Sequence, residues 1–164
     1  MTDNGGETAR ILGPSSPVAA RPPYVIDTSV AIKWYIPETH SVEAKAYIAK
    51  GVDRHAPDYL LAEAASVVLK RLRTRDVKLR LSNNEARMVM AALKVSPIQL
   101  HESRPLIDPA FALAEKIGAS LYDGLFLALA IRLGGQLVTA DQKLFKKIKI
   151  SQHADRARWV EDAP

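Results

Sequence analysis

Four acidic residues, Asp27, Glu63, Asp123 and Asp141, stand where carboxylates are either costly or well placed for chemistry. Asp27 ends the short run Tyr24-Val25-Ile26 and is followed at once by Thr28-Ser29. A charge at the end of a buried strand is unfavourable unless something pairs with it. Glu63 interrupts Leu60-Leu61-Ala62 and Ala64-Ala65-Ser66-Val67-Val68, on a surface that should face a sheet. An unpaired carboxylate there is pushed toward its protonated form. Asp123 opens an apolar stretch, and Asp141 lies between Leu137-Val138-Thr139 and a basic segment. Acids at the carboxyl ends of parallel strands and the adjoining helix starts meet in one crevice. Pooled oxygen ligands of that kind suit a hard divalent cation. The pattern points to metal-dependent cleavage of a phosphodiester.

Each acid also has a plainer reading. Glu63 fits an exposed outer helix face, and Asp123 and Asp141 fit helix caps, where acids are favoured. Asp27 has the weakest plain reading, because a strand-terminal Asp entering a helix turn often belongs to an α/β active site. Thr28, Ser29 and Thr139 place hydroxyls beside the acids, where they orient carboxylates or cap helices. Pro37-Glu38 and Pro57-Asp58 read as helix-boundary turns and stay outside the metal shell.

The basic residues fall in two groups, Lys70 to Arg80 and Lys143 to Lys149. A solvated helix face is the default for both. The second group follows Asp141 directly, which makes Lys143, Lys146 and Lys147 the candidates for phosphate contacts. No aromatic ladder for stacking bases is visible.

These side chains need elements to hold them. After a strand at Tyr24-Ile26, Val30 to Ile36 reads as a short helix stopped by Pro37. A second helix is expected from Ser41 to Lys50, closed by Gly51. A strand near Arg54-Ala56 leads to a helix over Tyr59 to Arg73, with Leu61, Val68 and Leu72 at helical spacing. Ser82-Asn83-Asn84-Glu85 has the form of a capping box for a helix running to about Val95. A third strand is expected at Ile98-Leu100, then a helix with Leu106, Ala110, Leu113 and Ile117 on one face, ended by Gly118. Tyr122 to Leu133 is apolar on nearly every side and reads as a buried helix. Gly134-Gly135 turns into a strand at Gln136-Thr139, Gln142 to Lys149 is a basic helix, and Trp159-Val160 an edge strand. Strands alternating with helices imply parallel crossovers, hence an α/β sandwich.

The chain has 164 residues, 48% apolar and 25% charged, enough for one domain with a real core. Residues 1 to 22, rich in Gly, Pro, Ser and Thr, read as a flexible tail before a folded body at 23–164. There is no cysteine, and the four histidines are scattered, which excludes disulfides, thiolate sites and a recognisable zinc motif. A net charge of +5 favours polyanionic partners. No apolar stretch is long enough to span a bilayer and no signal peptide is evident, so a cytoplasmic address is expected.

Four segments, in order, resemble the PIN-domain ribonucleases, specifically VapC-type toxins of type II toxin–antitoxin pairs. They are Val25 to Trp34 with Pro37-Glu38, Ala56 to Glu63, Tyr122 to Ala130, and Leu137 to Leu144. The resemblance spans about Tyr24 to Trp159 and implies a PIN-like α/β/α sandwich with a central, mostly parallel sheet. It assigns metal and catalytic roles to Asp27, Glu63, Asp123 and Asp141, with Ser29 or Thr139 as supporting polar residues. It further implies Mg²⁺, with Mn²⁺ as a substitute, and endonucleolytic cutting of RNA to 3′-hydroxyl and 5′-phosphate ends. A homodimer and an inhibiting antitoxin are implied as well. Two rivals stand beside it. A phosphoaspartyl hydrolase usually wants a second acid two residues after the first, where this chain has Ser29. A catalytically silent RNA-binding domain of the same fold has no need of all four acids.

Overall fold

The computed structural model describes residues 22–164. The expected tail falls almost wholly outside the described residues. The sheet has five strands, β1 (Tyr24–Ile26), β2 (Arg54–Pro57), β3 (Gln99–His101), β4 (Gln136–Thr139) and β5 (Ala157–Trp159). Their order is β3-β2-β1-β4-β5, and every neighbouring pair is parallel. All three residues of β1 are buried, as expected of a central strand covered by helices on both faces.

This topology fixes where a site must lie. From β1 the chain steps to one side through β2 and β3, then returns on the other side of β1 as β4 and β5. Strand order reverses about β1, and such a reversal opens a crevice at the carboxyl ends of the strands. Asp27 is the first residue after β1, and β4 ends at Thr139, paired in register through Ile26 and Val138.

Seven α-helices cover the described sheet: α1 (Thr28–Ala31), α2 (Ser41–Ala46), α3 (Tyr59–Arg73), α4 (Asn83–Lys94), α5 (Ile107–Ile117), α6 (Leu121–Leu133) and α7 (Gln142–Lys149). On α3, Leu60, Ala64 and Val68 are buried one turn apart, the spacing that lays one helix face on a core. Buried residues run without a break from Gly124 to Ala130 of α6, matching its apolar sequence. Gly124 lets α6 touch α5, since a Cβ there would lie 2.4 Å from the Ala110 carbonyl oxygen. The capping box of α4 is formed by Ser82 and Glu85.

Three elements differ from their sequence patterns. The expected helix at Val30 to Ile36 is α1 followed by a 3₁₀ turn at Ile32–Trp34, with the Trp34 indole N–H donating to the Ala44 carbonyl at 2.8 Å. The second helix stops at Ala46 rather than Lys50. Arg54 takes the carbonyls of Tyr47 at 3.1 Å and Ala49 at 2.7 Å, so those acceptors serve the guanidinium instead of another helical turn. The edge strand begins at Ala157, two residues early, because β5 pairs along β4 from Leu137 onward. Among the described residues no helix is long and apolar enough to cross a membrane.

Candidate active site

The four acids reach one place. Asp27, Glu63, Asp123 and Asp141 line a single cleft of ≈ 170 Å³ together with Thr28, Ser29, Ile32 and Val67. Asp27 comes from the end of β1, Glu63 from the second turn of α3, Asp123 from the first turn of α6, and Asp141 from the loop after β4. The reversal of strand order brings the first and last of these together, and α3 and α6 add the other two.

Asp27 is buried, and its Oδ2 accepts from the hydroxyls of Ser29 at 2.5 Å and Thr139 at 2.6 Å. Those hydroxyls are themselves held, since Ser29 Oγ accepts from the Ala140 N–H and Thr139 Oγ1 from the Asp141 N–H, each at 3.0 Å. The bonds tie the end of β1 to the end of β4. Thr28 donates to Glu63 Oε2 at 2.5 Å and fixes α3 against the same turn.

The plain readings of Asp123 and Asp141 are also satisfied. Asp123 Oδ2 accepts from the Ser120 N–H at 3.2 Å, completing a capping box on α6. Asp141 Oδ1 caps α7 through Lys143 N–H at 2.7 Å and Leu144 N–H at 3.1 Å. Capping uses one oxygen of each carboxylate. Among the described residues Asp27 Oδ1, Glu63 Oε1, Asp123 Oδ1 and Asp141 Oδ2 accept no hydrogen bond. No buried side-chain oxygen or nitrogen lacks a partner among those residues, so the free Asp27 oxygen opens onto the cleft. Each acid is anchored by one oxygen and spare at the other.

Among the described residues no cation pairs with these four acids. Among the described residues the ion pairs involve Glu38, Asp53, Asp155 and Glu161 and none of the four acids. Burial pushes the Asp27 carboxyl up to about 6, against the pull of Ser29 and Thr139, and Glu63 and Asp123 raise it further. Glu63 is also raised, first by burial and then by Asp123, while the Thr28 hydroxyl and the Lys70 ammonium draw it down. A cluster that holds its charge against such resistance is short of a cation.

The donor set suits a hard ion, since every free atom is a carboxylate oxygen. Among the described residues no three acidic, histidine or cysteine side chains close into a ready cage. That openness suits Mg²⁺, which keeps several waters and takes one or two carboxylates beside a substrate phosphate. The residues fit such an ion.

The residues match the PIN domain family over positions 24–150, a span that contains all four acids. The chain belongs to the PIN domain family. It is 29% identical over 123 residues to Ribonuclease VapC3 of Pyrobaculum aerophilum, covering 75% of this chain and 92% of that relative. The crystal structure of PAE2754, from the same organism, superposes with a TM-score of 0.62 at 20% identity, covering 88% of this chain and 89% of the other. At that identity the likeness bears on fold alone, and that fold agrees with the α/β sandwich read from the strand–helix alternation.

Glu38 and Asp58 stay out of this PIN-domain cleft, as expected. Glu38 is held by Lys33 at 2.8 Å and by Arg71, and Asp58 accepts from the Ser103 N–H at 3.1 Å. Of the basic candidates, Lys147 donates to the Gly118 carbonyl that ends α5. Its head is therefore engaged, while Lys143 and Lys146 have no side-chain partner among the described residues. One feature escaped the sequence. Tyr59 and Tyr122 stack in parallel, with ring centroids 4.6 Å apart and an interplanar angle of 6°. They lie far apart in the chain, but each stands beside an acid, one turn before Glu63 and immediately before Asp123. That adjacency was the available signal.

Proposed function

We propose that this PIN-domain protein is a Mg²⁺-dependent endoribonuclease, the toxin of a type II toxin–antitoxin pair. The observation that carries the reading is the set of four carboxylates in one cleft, each tied by one oxygen and free at the other, with no ion pair to any of them among the described residues. The VapC3 relative, itself a ribonuclease by name, supports RNA as the substrate.

Asp27, Glu63, Asp123 and Asp141 would hold a divalent ion, which would supply Lewis acidity at the scissile phosphate and lower the pKa of a nearby water. The chain's own part is preparation. Ser29 and Thr139 lock the Asp27 carboxylate, and Thr28 locks Glu63, so both present their free oxygens without reorganising. Asp123 orients the attacking water or takes its proton. Water oxygen bonds to phosphorus, the P–O3′ bond breaks, and the departing oxygen gains a proton, leaving 3′-hydroxyl and 5′-phosphate ends. Asp141, exposed and half committed to capping α7, acts as the outermost member of the set.

Two partners complete the proposal. Ile107 and Phe111, exposed one turn apart on α5, offer an apolar patch for a second copy of the chain. The groove between α3 and α4, lined by Ala65, Leu69, Leu72, Ala86, Ala91 and Met90, offers an apolar seat for the antitoxin's helical segment. Two apolar residues of the same helices lie outside that groove. Val89 is buried in the core and Val67 lines the acidic cleft. An antitoxin arginine set against the acids would compete with the cation through charge-assisted hydrogen bonds.

The test is cleavage of RNA by purified protein with Mg²⁺, with Mn²⁺, and with chelator. Asp27→Asn and Glu63→Gln should each abolish metal-dependent cleavage while retaining the fold. Full activity in both variants would end the nuclease reading.

A further inference from the structure

One face of α3 carries more than its acid. Tyr59, Glu63, Ser66, Lys70 and Arg73 follow one another at steps of three or four residues, so they share a single stripe along the helix. At about 1.5 Å per residue the stripe is roughly 21 Å long. At its start, Tyr59 stacks on Tyr122, a residue that remains 49% exposed. In its middle, Glu63 enters the acidic cleft with Val67 beside it. Beyond the cleft, Ser66, Leu69, Lys70, Arg73 and Thr74 line a shallow groove. Lys70 and Arg73 are exposed and make no hydrogen bond or ion pair among the described residues. Arg71, on the neighbouring face, is instead held by Glu38.

We infer that the α3 stripe is the seat of a single-stranded substrate, with a base stacked on the Tyr59–Tyr122 pair, the scissile phosphate at the four acids, and flanking phosphates on Lys70 and Arg73. The inference rests on the nuclease reading above and adds strand-positioning residues to it. The chemistry of the stripe selects the occupant. An exposed aromatic face takes the π-face of any base, and cations about two and three turns beyond Glu63, unpaired among the described residues, match a polyanionic backbone. An acidic polypeptide would satisfy Lys70 and Arg73 but would bring no base to the tyrosine face. A base in a duplex has both faces covered, so the tyrosine pair favours unpaired strands.

The stripe is separable from catalysis by measuring binding in the non-cleaving Asp27→Asn protein. Fluorescence anisotropy with a short labelled single-stranded RNA, its duplex, and an abasic strand of equal length gives the affinities over a salt series. Replacing Lys70 and Arg73 by Glu should lower the salt slope by about 1.4, at roughly 0.7 per phosphate contact on a single strand. Tyr122→Ala should weaken single-strand binding by about 5- to 150-fold, the range for losing one base stack, and leave the salt slope unchanged. Tyr122→Phe should bind as the parent does. The abasic strand should be insensitive to Tyr122→Ala. Equal affinity of all variants for single strands, or equal loss in Tyr122→Ala and Tyr122→Phe, would overturn the inference. Cleavage by the wild-type protein is scored separately: a cleaving enzyme whose binding ignores the stripe refutes the stripe and spares the nuclease.

Discussion

At the residue scale, Asp27 concentrates the conflict between fold and function. Its carboxyl sits at about 6 against an ordinary 3.8, with burial the main cause and the neighbouring acids adding to it. A raised acid is stabilised in its protonated form, so the sign is set. Below about pH 4 both folded and unfolded chains carry the proton, and the side chain costs nothing extra. As pH rises from about 4 to 6 the unfolded chain loses its proton first, and stability falls by roughly 3 kcal/mol before levelling off. In chelator, Asp27→Asn should therefore unfold at higher temperature than wild type at pH 8, with the gap closing by pH 4. The amide still offers an oxygen to Ser29 and Thr139, and its nitrogen takes the position that opens onto the cleft. Added Mg²⁺ should raise the wild-type melting temperature at pH 8 and leave the variant unmoved. A wild type that gains stability between pH 4 and 6 relative to the variant would mean that Asp27 has a cationic partner after all.

At the element scale, the site depends on how closely helices approach one another. Gly124 follows Asp123 and sits on the Ala110 carbonyl of α5. Backbone cannot yield there as a side-chain tip would, so Gly124→Ala should destabilise the protein by about 1–3 kcal/mol, the usual range for overpacking. Because α6 must shift to admit the methyl group, metal-dependent cleavage should drop further than the loss of folded protein explains. Chemical denaturation beside kcat on the folded fraction checks both. Much of this scale was legible in advance. The capping box at Ser82 and the glycine stops at Gly118 and Gly134 are local signals, and both glycines lie in the left-handed region in the structure. What was not legible depended on distant partners. The early end of α2 is set by Arg54, eight residues beyond Ala46. The Tyr59–Tyr122 stack joins two helices whose packing no periodicity encodes. Asp123 and Asp141 were each ambiguous between cap and cleft, and the structure shows that the choice was false, because a carboxylate has two oxygens.

At the scale of the whole molecule, cations, acids and apolar surface are segregated. Acids occupy the crevice beside β1, cations without a partner among the described residues stand on α3 and α7, and apolar side chains remain exposed on α4 and α5. Met88 on α4 is 57% exposed and Ala91 is also on the surface. Methionines suit a face that adapts to a partner helix. If an antitoxin covers this face, Met88→Glu with Ala91→Glu should leave the fold and RNA cleavage unchanged, because neither residue touches the cleft. The same pair of substitutions should weaken capture of the protein encoded beside this chain, measured by co-purification and by isothermal titration. That neighbour should suppress cleavage by wild type and fail to suppress the variant at equal concentration. Unaltered binding and inhibition would move the docking surface away from α4. A neighbour that neither binds nor inhibits wild type would remove the toxin assignment and leave the nuclease chemistry standing on the four carboxylates.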